Sequence, residues 1–384
     1  MQIPKVPRNV WLLGLVSFFN DLASEMIYPI MPIFLTTVLN VSIPLIGFIE
    51  GFVEAVASIS KFAFGAISDY FQKRKIFVTA GYSLAAISKI LIGLAQSWPL
   101  VLFARFCDRL GKGLRTAARD SILLENATSK NVGFIFGFHR AFDSLGAVIG
   151  PLLALVVLYF LKDNLRSTFF IAAIPAFIAV TLLILFVKEK PLVQAQPAYK
   201  FVRINWILFP AKLKIFLLVS FLFALGNSSD AFLLLHAKNL GLSTTLVILV
   251  YVLYNVTQTL FATPAGSLAD KFGAKKVFAG GLLVFSLVYF SFGFIKSSIW
   301  LWLIFPIYGI YIAATDGVGK AYLSEFIKHE ESGTFFGAYY TLTAVGTFLA
   351  SIIGGLLWYY FTPAATFYYG CIMALASFII FLSF

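Results

Sequence analysis

Twelve apolar runs of roughly helical-span length recur along the chain, near residues 11–38, 44–68, 76–95, 98–124, 132–160, 166–187, 213–237, 243–268, 276–296, 299–323, 333–360 and 363–384. A helix of about 20 apolar residues is long enough to cross the hydrocarbon core of a bilayer. Short polar stretches separate the runs, and the pattern predicts an all-α membrane protein with twelve transmembrane helices. The run 98–124 departs from the others, because Arg105, Asp108, Arg109, Lys112, Arg115, Arg119 and Asp120 lie inside it. At about 100° per residue these seven side chains fall within roughly 140° of arc, which leaves Cys107, Leu110, Leu114, Ala118 and Ser121 on the remainder. A basic amphipathic helix lying on the membrane surface has such a face too, but this segment is flanked by full-length spans. The wet face must therefore line a hydrated path or pair its charges across a bundle, and intramembrane charge of this kind points to function.

Composition agrees with this reading. Of 384 residues, 60% are hydrophobic and 12% are charged, against about 25% charged in soluble domains. The formal net charge of +12 does not imply a nucleic-acid partner, because the basic residues sit in short loops between spans. With the N-terminus inside, sixteen of them are cytoplasmic and four external, as the positive-inside rule requires. Both termini are then expected in the cytoplasm, in a multi-pass protein of the inner (cytoplasmic) membrane. The first run continues past 25 residues with no small-residue cleavage pattern, so it reads as a retained span rather than a signal peptide. Cys107 and Cys371 lie within spans and have no ligand spacing with His139, His236 or His329, so no disulfide framework, metal site or cofactor is expected. His236, near the end of its span, reads as an interfacial residue.

The polar stretch between the sixth and seventh spans divides the chain into residues 1–187, a linker 188–212 and residues 213–384, and the two halves repeat. Gly65-Ala-Ile-Ser-Asp69 followed by Lys73-Arg74-Lys75 recurs as Gly266-Ser-Leu-Ala-Asp270 followed by Lys275-Lys276. Asp108-Arg-Leu-Gly-Lys112 recurs as Asp316-Gly-Val-Gly-Lys320, and Gly137 with Gly146 recurs as Gly337 with Gly346. Duplicated six-helix halves related by an axis along the membrane normal form a transporter architecture, with the solute site near mid-membrane.

These motifs resemble the major facilitator superfamily. Gly65-x-x-x-Asp69 with Lys73 and Arg74 is similar to that family's loop between the second and third spans, and Gly266-x-x-x-Asp270-Lys271-x-Gly273 is the closer copy. In the first copy Tyr70 stands where the family usually has Arg or Lys, and Gln72 where it usually has Gly. The resemblance implies twelve helices in two pseudo-twofold halves that rock about a central cavity. It also implies a cytoplasmic gate built on Gly65, Asp69, Lys73, Arg74, Gly266, Asp270 and Lys271. Arg105-x-x-x-Arg109-x-Gly111 resembles the fourth-span pattern of proton-coupled members, and the run from Asp108 to Asp120 resembles a subgroup of bacterial permeases. Gly137, Gly146, Gly150 and Pro151 resemble a fifth-span pattern of antiporters, although Ala154 and Leu155 replace its closing glycine pair, which occurs instead at Gly354-Gly355. Small residues at this spacing are also what close helix crossings need, so Gly137, Gly146, Gly150, Pro151, Gly346 and Gly354 are equally packing positions.

The remaining polar residues within spans make up the candidate solute site. Asn20, Asp21, Ser24, Glu25 and Tyr28 share one face of the first span, and Pro29 and Pro32 are expected to bend it. His139, Arg140 and Asp143 share a face of the fifth. With Arg105, Asp108, Arg109 and Lys112 of the fourth span, and Asn227, Asp230, Asp316 and Lys320 of the second half, they are candidates for the cavity. Asp108 with Lys112, and Asp316 with Lys320, stand one turn apart and suit structural ion pairs. Glu50 and Glu54, also one turn apart, are like charges whose repulsion a bound proton would relieve. They are candidates for proton coupling alongside Asp21, Glu25 and Asp143, or they pair with Lys61 and an arginine of the fourth span.

No Gly-x-x-x-x-Gly-Lys-Ser/Thr motif is present, and neither a filter ring nor a nucleophile-base pair suggests a channel or an enzyme. The sequence points to a proton-coupled secondary transporter, expected as a monomer, working by alternating access. Its partners are a small-molecule solute, protons and the lipid bilayer. Eight basic and seven acidic residues within spans one to five suit a polar zwitterionic or anionic organic solute. A polyspecific drug or metabolite antiporter with amphiphilic cationic substrates is the alternative.

Overall fold

A computed structural model describes residues 6–71, 73–126, 132–189, 211–326 and 332–383. The helices are α1 (Arg8–Ile27), α2 (Met31–Thr37), α3 (Ile43–Phe71), α4 (Arg74–Leu94), α5 (Trp98–Glu125), α6 (Val132–Phe160), α7 (Leu165–Phe186), α8 (Ala211–Gly226), α9 (Ala231–Asn239), α10 (Thr244–Phe272), α11 (Ala274–Phe294), α12 (Leu301–Ser324), α13 (Ser332–Tyr360) and α14 (Pro363–Leu382). Among the described residues the twelve expected spans are all present. Ten are single helices, while the first is the pair α1–α2 and the seventh the pair α8–α9. Eleven are long and apolar enough to cross a membrane. The twelfth, α5, has the length at 28 residues but carries the charged face.

The two broken spans break for different reasons. Between α1 and α2, Pro29 lacks the N–H a continuous helix would use, and Pro32 falls in the first turn of α2 where that loss is tolerated. Between α8 and α9 no proline intervenes. The segment Asn227-Ser-Ser-Asp230 ends the helix because short polar side chains offer the backbone other partners. Ser229 Oγ accepts from the Ala231 N–H at 3.3 Å, and the Ser229 N–H donates to Ser351 Oγ at 3.2 Å.

The chain forms two compact units, one of residues Met1–Phe34 with Val56–Tyr199 and the other of Leu35–Ala55 with Lys200–Phe384. Helix α3 is divided between them at residues 55 and 56. In unit one α1 packs on α6 and α7, and α4 packs on α5 and α7. In unit two α8 packs on α13 and α14, and α11 packs on α12 and α14. These are the same relations displaced by half the chain, so the repeat seen in the motifs is also a repeat of packing. The cores correspond as well: Leu13, Val78, Ala118 and Leu183 in unit one, Phe216, Phe278, Leu323 and Phe381 in unit two. Tyr159 and Phe160 end α6 exposed at 81% and 75%, and Tyr359, Tyr360 and Phe361 end α13 likewise. Such rings suit the boundary between hydrocarbon and water.

Close helix crossings depend on small residues. A Cβ at Gly81 would lie 2.5 Å from the Gly111 carbonyl oxygen, and one at Gly111 would lie 2.5 Å from that of Gly81. This contact brings α4 against the charged helix. We expect Gly81→Val to destabilise unit one by about 1–3 kcal/mol or more through overpacking. Gly280→Val, where a Cβ meets nothing within 4 Å, should be tolerated. Monodispersity and melting of the two purified variants check this, and equal melting would show that the crossing can open.

Candidate functional site

Unit one contains a buried polar network built on α1, α4, α5 and α6. Ser17 Oγ donates to Asp143 Oδ1 at 2.5 Å and accepts from Arg119 Nη1 at 3.3 Å. His139 Nδ1 lies 3.6 Å from Asp143 Oδ2, and Arg119 also holds Asp120 at 3.0 Å. One turn further along α1, Asn20 Nδ2 donates to Asp21 Oδ1 at 3.1 Å. Asp21 is within electrostatic reach of Asp143, Arg115 and Lys112, and the Arg115 guanidinium lies 4.6 Å over the Tyr82 ring. Beyond these, Lys89 of α4, with no exposed surface, donates to the Ala85 carbonyl at 3.0 Å and to Ser24 Oγ at 3.3 Å. Its Nζ faces Asp108 Oδ1 at 3.7 Å, and Asp108 faces Arg109 Nη1 at 3.9 Å. From Ser17 to Ser24 the network extends about 10 Å along the helix axis.

Helix α5 therefore uses its wet face inside unit one. Arg105 and Arg115 are buried, while Arg109, Lys112 and Arg119 are half-buried. Across the interior Asp108 also reaches Lys89, nineteen positions away in sequence, while Lys112 of its own helix is within its electrostatic reach. Glu25 faces α6, since a Cβ at Gly150 would lie 2.9 Å from Glu25 Cβ. Tyr28 caps α1 through its N–H to the Ser24 carbonyl at 3.1 Å. Arg140 stands on the exposed side of α6. Gly146 and Gly150, with Pro151 in the next buried position, lie against α1, whereas a Cβ at Gly137 would meet nothing within 4 Å.

Unit two has a different character. Asp230, at the start of α9 where the seventh span breaks, accepts from Tyr308 Oη at 2.6 Å and from Tyr254 Oη at 2.9 Å. Neighbouring Asn227 donates to Tyr311 Oη at 3.1 Å. The three rings form a run, with Tyr254 and Tyr308 centroids 5.5 Å apart and Tyr308 and Tyr311 5.0 Å apart. Glu50 and Glu54, on the part of α3 that belongs to this unit, lie within electrostatic reach of Asp230. Glu50 is buried and Glu54 exposed. Asp316 and Lys320 pair at 2.7 Å on the surface of α12. Gly346 of α13 lies against Ala224 of α8, and Gly354 against Thr366 of α14. His236, expected at an interface, is instead only 7% exposed. It is enclosed by Phe292, Trp358 and Phe367 at centroid distances of 6.3, 6.1 and 4.9 Å.

Of the expected gate, the surroundings of Gly65 and the side chain of Asp69 lie outside what the structure describes. Lys73 is exposed, and Arg74 pairs with Glu125 at the end of α5 while its N–H donates to Glu189 Oε1 at 2.5 Å. In the second copy a Cβ at Gly266 would meet nothing within 4 Å, and Asp270 and Lys271 are exposed. Gly273 closes α10 at φ +92°, a conformation that favours glycine. Gln72, its counterpart, is outside the described residues.

Sequence reasoning missed two features. Lys89 was visible only as one more charge in a span, and its burial between α1 and α5 is set by tertiary packing. Tyr254 and Tyr308 were hidden among 17 tyrosines. Among the described residues no group of three or more His, Cys, Asp or Glu could hold a metal ion.

The family model described as Major Facilitator Superfamily matches residues 13–235 and 216–384. An uncharacterized MFS-type transporter, MJ1317 of Methanocaldococcus jannaschii, is 37% identical over 381 residues, covering 97% of this chain and 94% of that protein. Among solved structures, a POT family transporter in complex with 5-aminolevulinic acid superposes with a TM-score of 0.81 at 14% identity, covering 98% of this chain and 95% of that one. A D-xylose-proton symporter does so with a TM-score of 0.71 at 20% identity, covering 97% and 95%.

Proposed function

The chain belongs to the Major Facilitator Superfamily and is a multi-pass membrane transporter, and we propose that it is a proton-coupled carrier of a small polar, zwitterionic or anionic organic solute. It works by alternating access in the inner membrane, with both termini and residues 188–212 on the cytoplasmic side. Residues 1–187 and 213–384 are its two halves, and Asp69 and Asp270 with their basic neighbours act as the cytoplasmic gate.

The observation that carries this reading is the buried network of both charge signs on α1, α5 and α6. Charges within a bilayer are costly unless paired or hydrated. A helix bundle that needed only to be stable would do as well with apolar packing at Asp21, Asp143, Arg115 and Arg119. Residues that must release and rebind a charged solute and a proton account for retaining them. Carboxylates can exchange protons near neutral pH when crowded, whereas arginines cannot. That assigns proton coupling to Glu50, Glu54, Asp21, Glu25 or Asp143, and solute contact to the basic face of α5. The symporter and the transporter solved with 5-aminolevulinic acid show that this fold accommodates a proton-driven carrier and a ligand with both amine and carboxyl groups.

A second reading follows from unit two, where a carboxylate flanked by tyrosine rings suits an organic cation and so a drug or metabolite antiporter. Counterflow in proteoliposomes separates these readings. Vesicles preloaded with a solute should transiently concentrate the same labelled solute without net flux. We expect this for amino acids or small carboxylates. Counterflow of quaternary ammonium dyes alone would favour the antiporter, and no counterflow for any solute that crosses would indicate a channel.

A further inference from the structure

Among the buried polar atoms of unit one that have no hydrogen-bond partner among the described residues, three lie around Asp21: Asn20 Oδ1, Arg115 Nη1 and His139 Nε2. Their residues are exposed by only 1%, 6% and 3%. A buried polar atom left unpartnered is destabilising, and several together call for a group that completes them. The three are neighbours through Asp21. Asn20 bonds Asp21 directly at 3.1 Å, Arg115 attracts it from α5, and His139 on α6 is within its electrostatic reach.

The chemistry of the three atoms is complementary. Arg115 Nη1 can only donate and carries fixed positive charge, so it calls for an anionic oxygen. The guanidinium is held in place by the Tyr82 ring beneath it. Asn20 Oδ1 can only accept, and beside the Asp21 carboxylate it calls for a cationic N–H donor. His139 Nε2 is an acceptor in the neutral ring, because Nδ1 carries the proton toward Asp143 at 3.6 Å. An anion receptor and a cation receptor thus stand close enough for Asp21 and Arg115 to attract one another.

We propose that unit one holds the head group of a small amino acid, with its carboxylate on Arg115 Nη1 and its ammonium on Asn20 Oδ1 and Asp21. Its role in transport rests on the carrier reading above, but binding itself is measurable without transport. Arg115 lies outside the set of solute-site residues that the sequence suggested, so its assignment is specific to the structure.

The probes are L-alanine, propionate, which lacks the ammonium, and ethylamine, which lacks the carboxylate, each titrated calorimetrically into the full-length protein in detergent. Alanine should bind at least about tenfold tighter than either fragment, since each fragment leaves one receptor unfilled. In Asn20→Ala the preference of alanine over propionate should fall severalfold, Asp21 remaining, while that over ethylamine persists. In Arg115→Gln the reverse should hold, and Arg115→Lys should retain part of the preference over ethylamine. This double dissociation compares ligands within one variant, so a general loss of stability cannot imitate it. If Arg115→Gln does not fold, the Asn20→Ala and Arg115→Lys ratios decide. Equal binding of alanine and propionate to the parent protein, ratios unmoved by either substitution, or no binding of alanine would overturn the proposal. Counterflow of a different solute would then leave the carrier reading standing.

Discussion

Replacing Glu50 with glutamine should abolish uphill transport while exchange of the solute across the membrane continues. The expectation comes from the crowding of three carboxylates in unit two. Glu50 is buried, Glu54 stands one turn away, and both are within electrostatic reach of Asp230. Asp230 already accepts hydrogen bonds from Tyr254 and Tyr308, which hold it in place, and Glu50 is the buried member of the remaining pair. An imposed gradient of about one pH unit sustains roughly tenfold accumulation for each coupled proton. In proteoliposomes the parent should reach that ratio and Glu50→Gln should stay near unity, with counterflow changed less than about twofold. If the variant concentrates solute as the parent does, coupling passes to Asp21, Glu25 or Asp143.

The second large effect concerns stability. Lys89 has no exposed surface and joins α1, α4 and α5 through Ser24, Ala85 and Asp108. Lys89→Met retains the apolar stem but leaves Asp108 without its cross-helix partner. Removing one member of a buried pair costs about 3–5 kcal/mol, and the lower end applies here because Arg109 remains 3.9 Å from Asp108. Unit one should melt well below the parent in detergent. Adding Asp108→Asn should recover most of the loss, since the uncompensated charge is then gone. A Lys89→Met protein that melts as the parent does, or a double variant no better than the single, would show that the pair is not a structural tie.

Much of the fold was legible because helical period and span length act locally. The charged face of α5 follows from its spacing alone, and the repeat could be read from Asp69 and Asp270. The first span's break was visible in Pro29 and Pro32. The seventh span's break was not, because Asn227-Ser-Ser-Asp230 ends a helix by competing hydrogen bonds, which composition does not announce. Pairings across helices were illegible for a related reason. Asp108 and Lys112 are neighbours on one helix, whereas Lys89 meets Asp108 only once α4 and α5 cross at Gly81 and Gly111. Likewise, nothing in the sequence separates the tyrosines that hold Asp230 from those that face lipid. His236 read as interfacial by its position, and only the rings of Phe292, Trp358 and Phe367 closing over it place it inside.

The central claim is that solute and proton move together, and the most direct test is proton movement itself. Vesicles containing the purified protein and an internal pH dye, with no imposed gradient, receive a pulse of a solute that supports counterflow. The account predicts a change of internal pH that tracks solute entry, saturates with it and is lost in Glu50→Gln. Solute entry at the parent's full rate with no change of internal pH would contradict it.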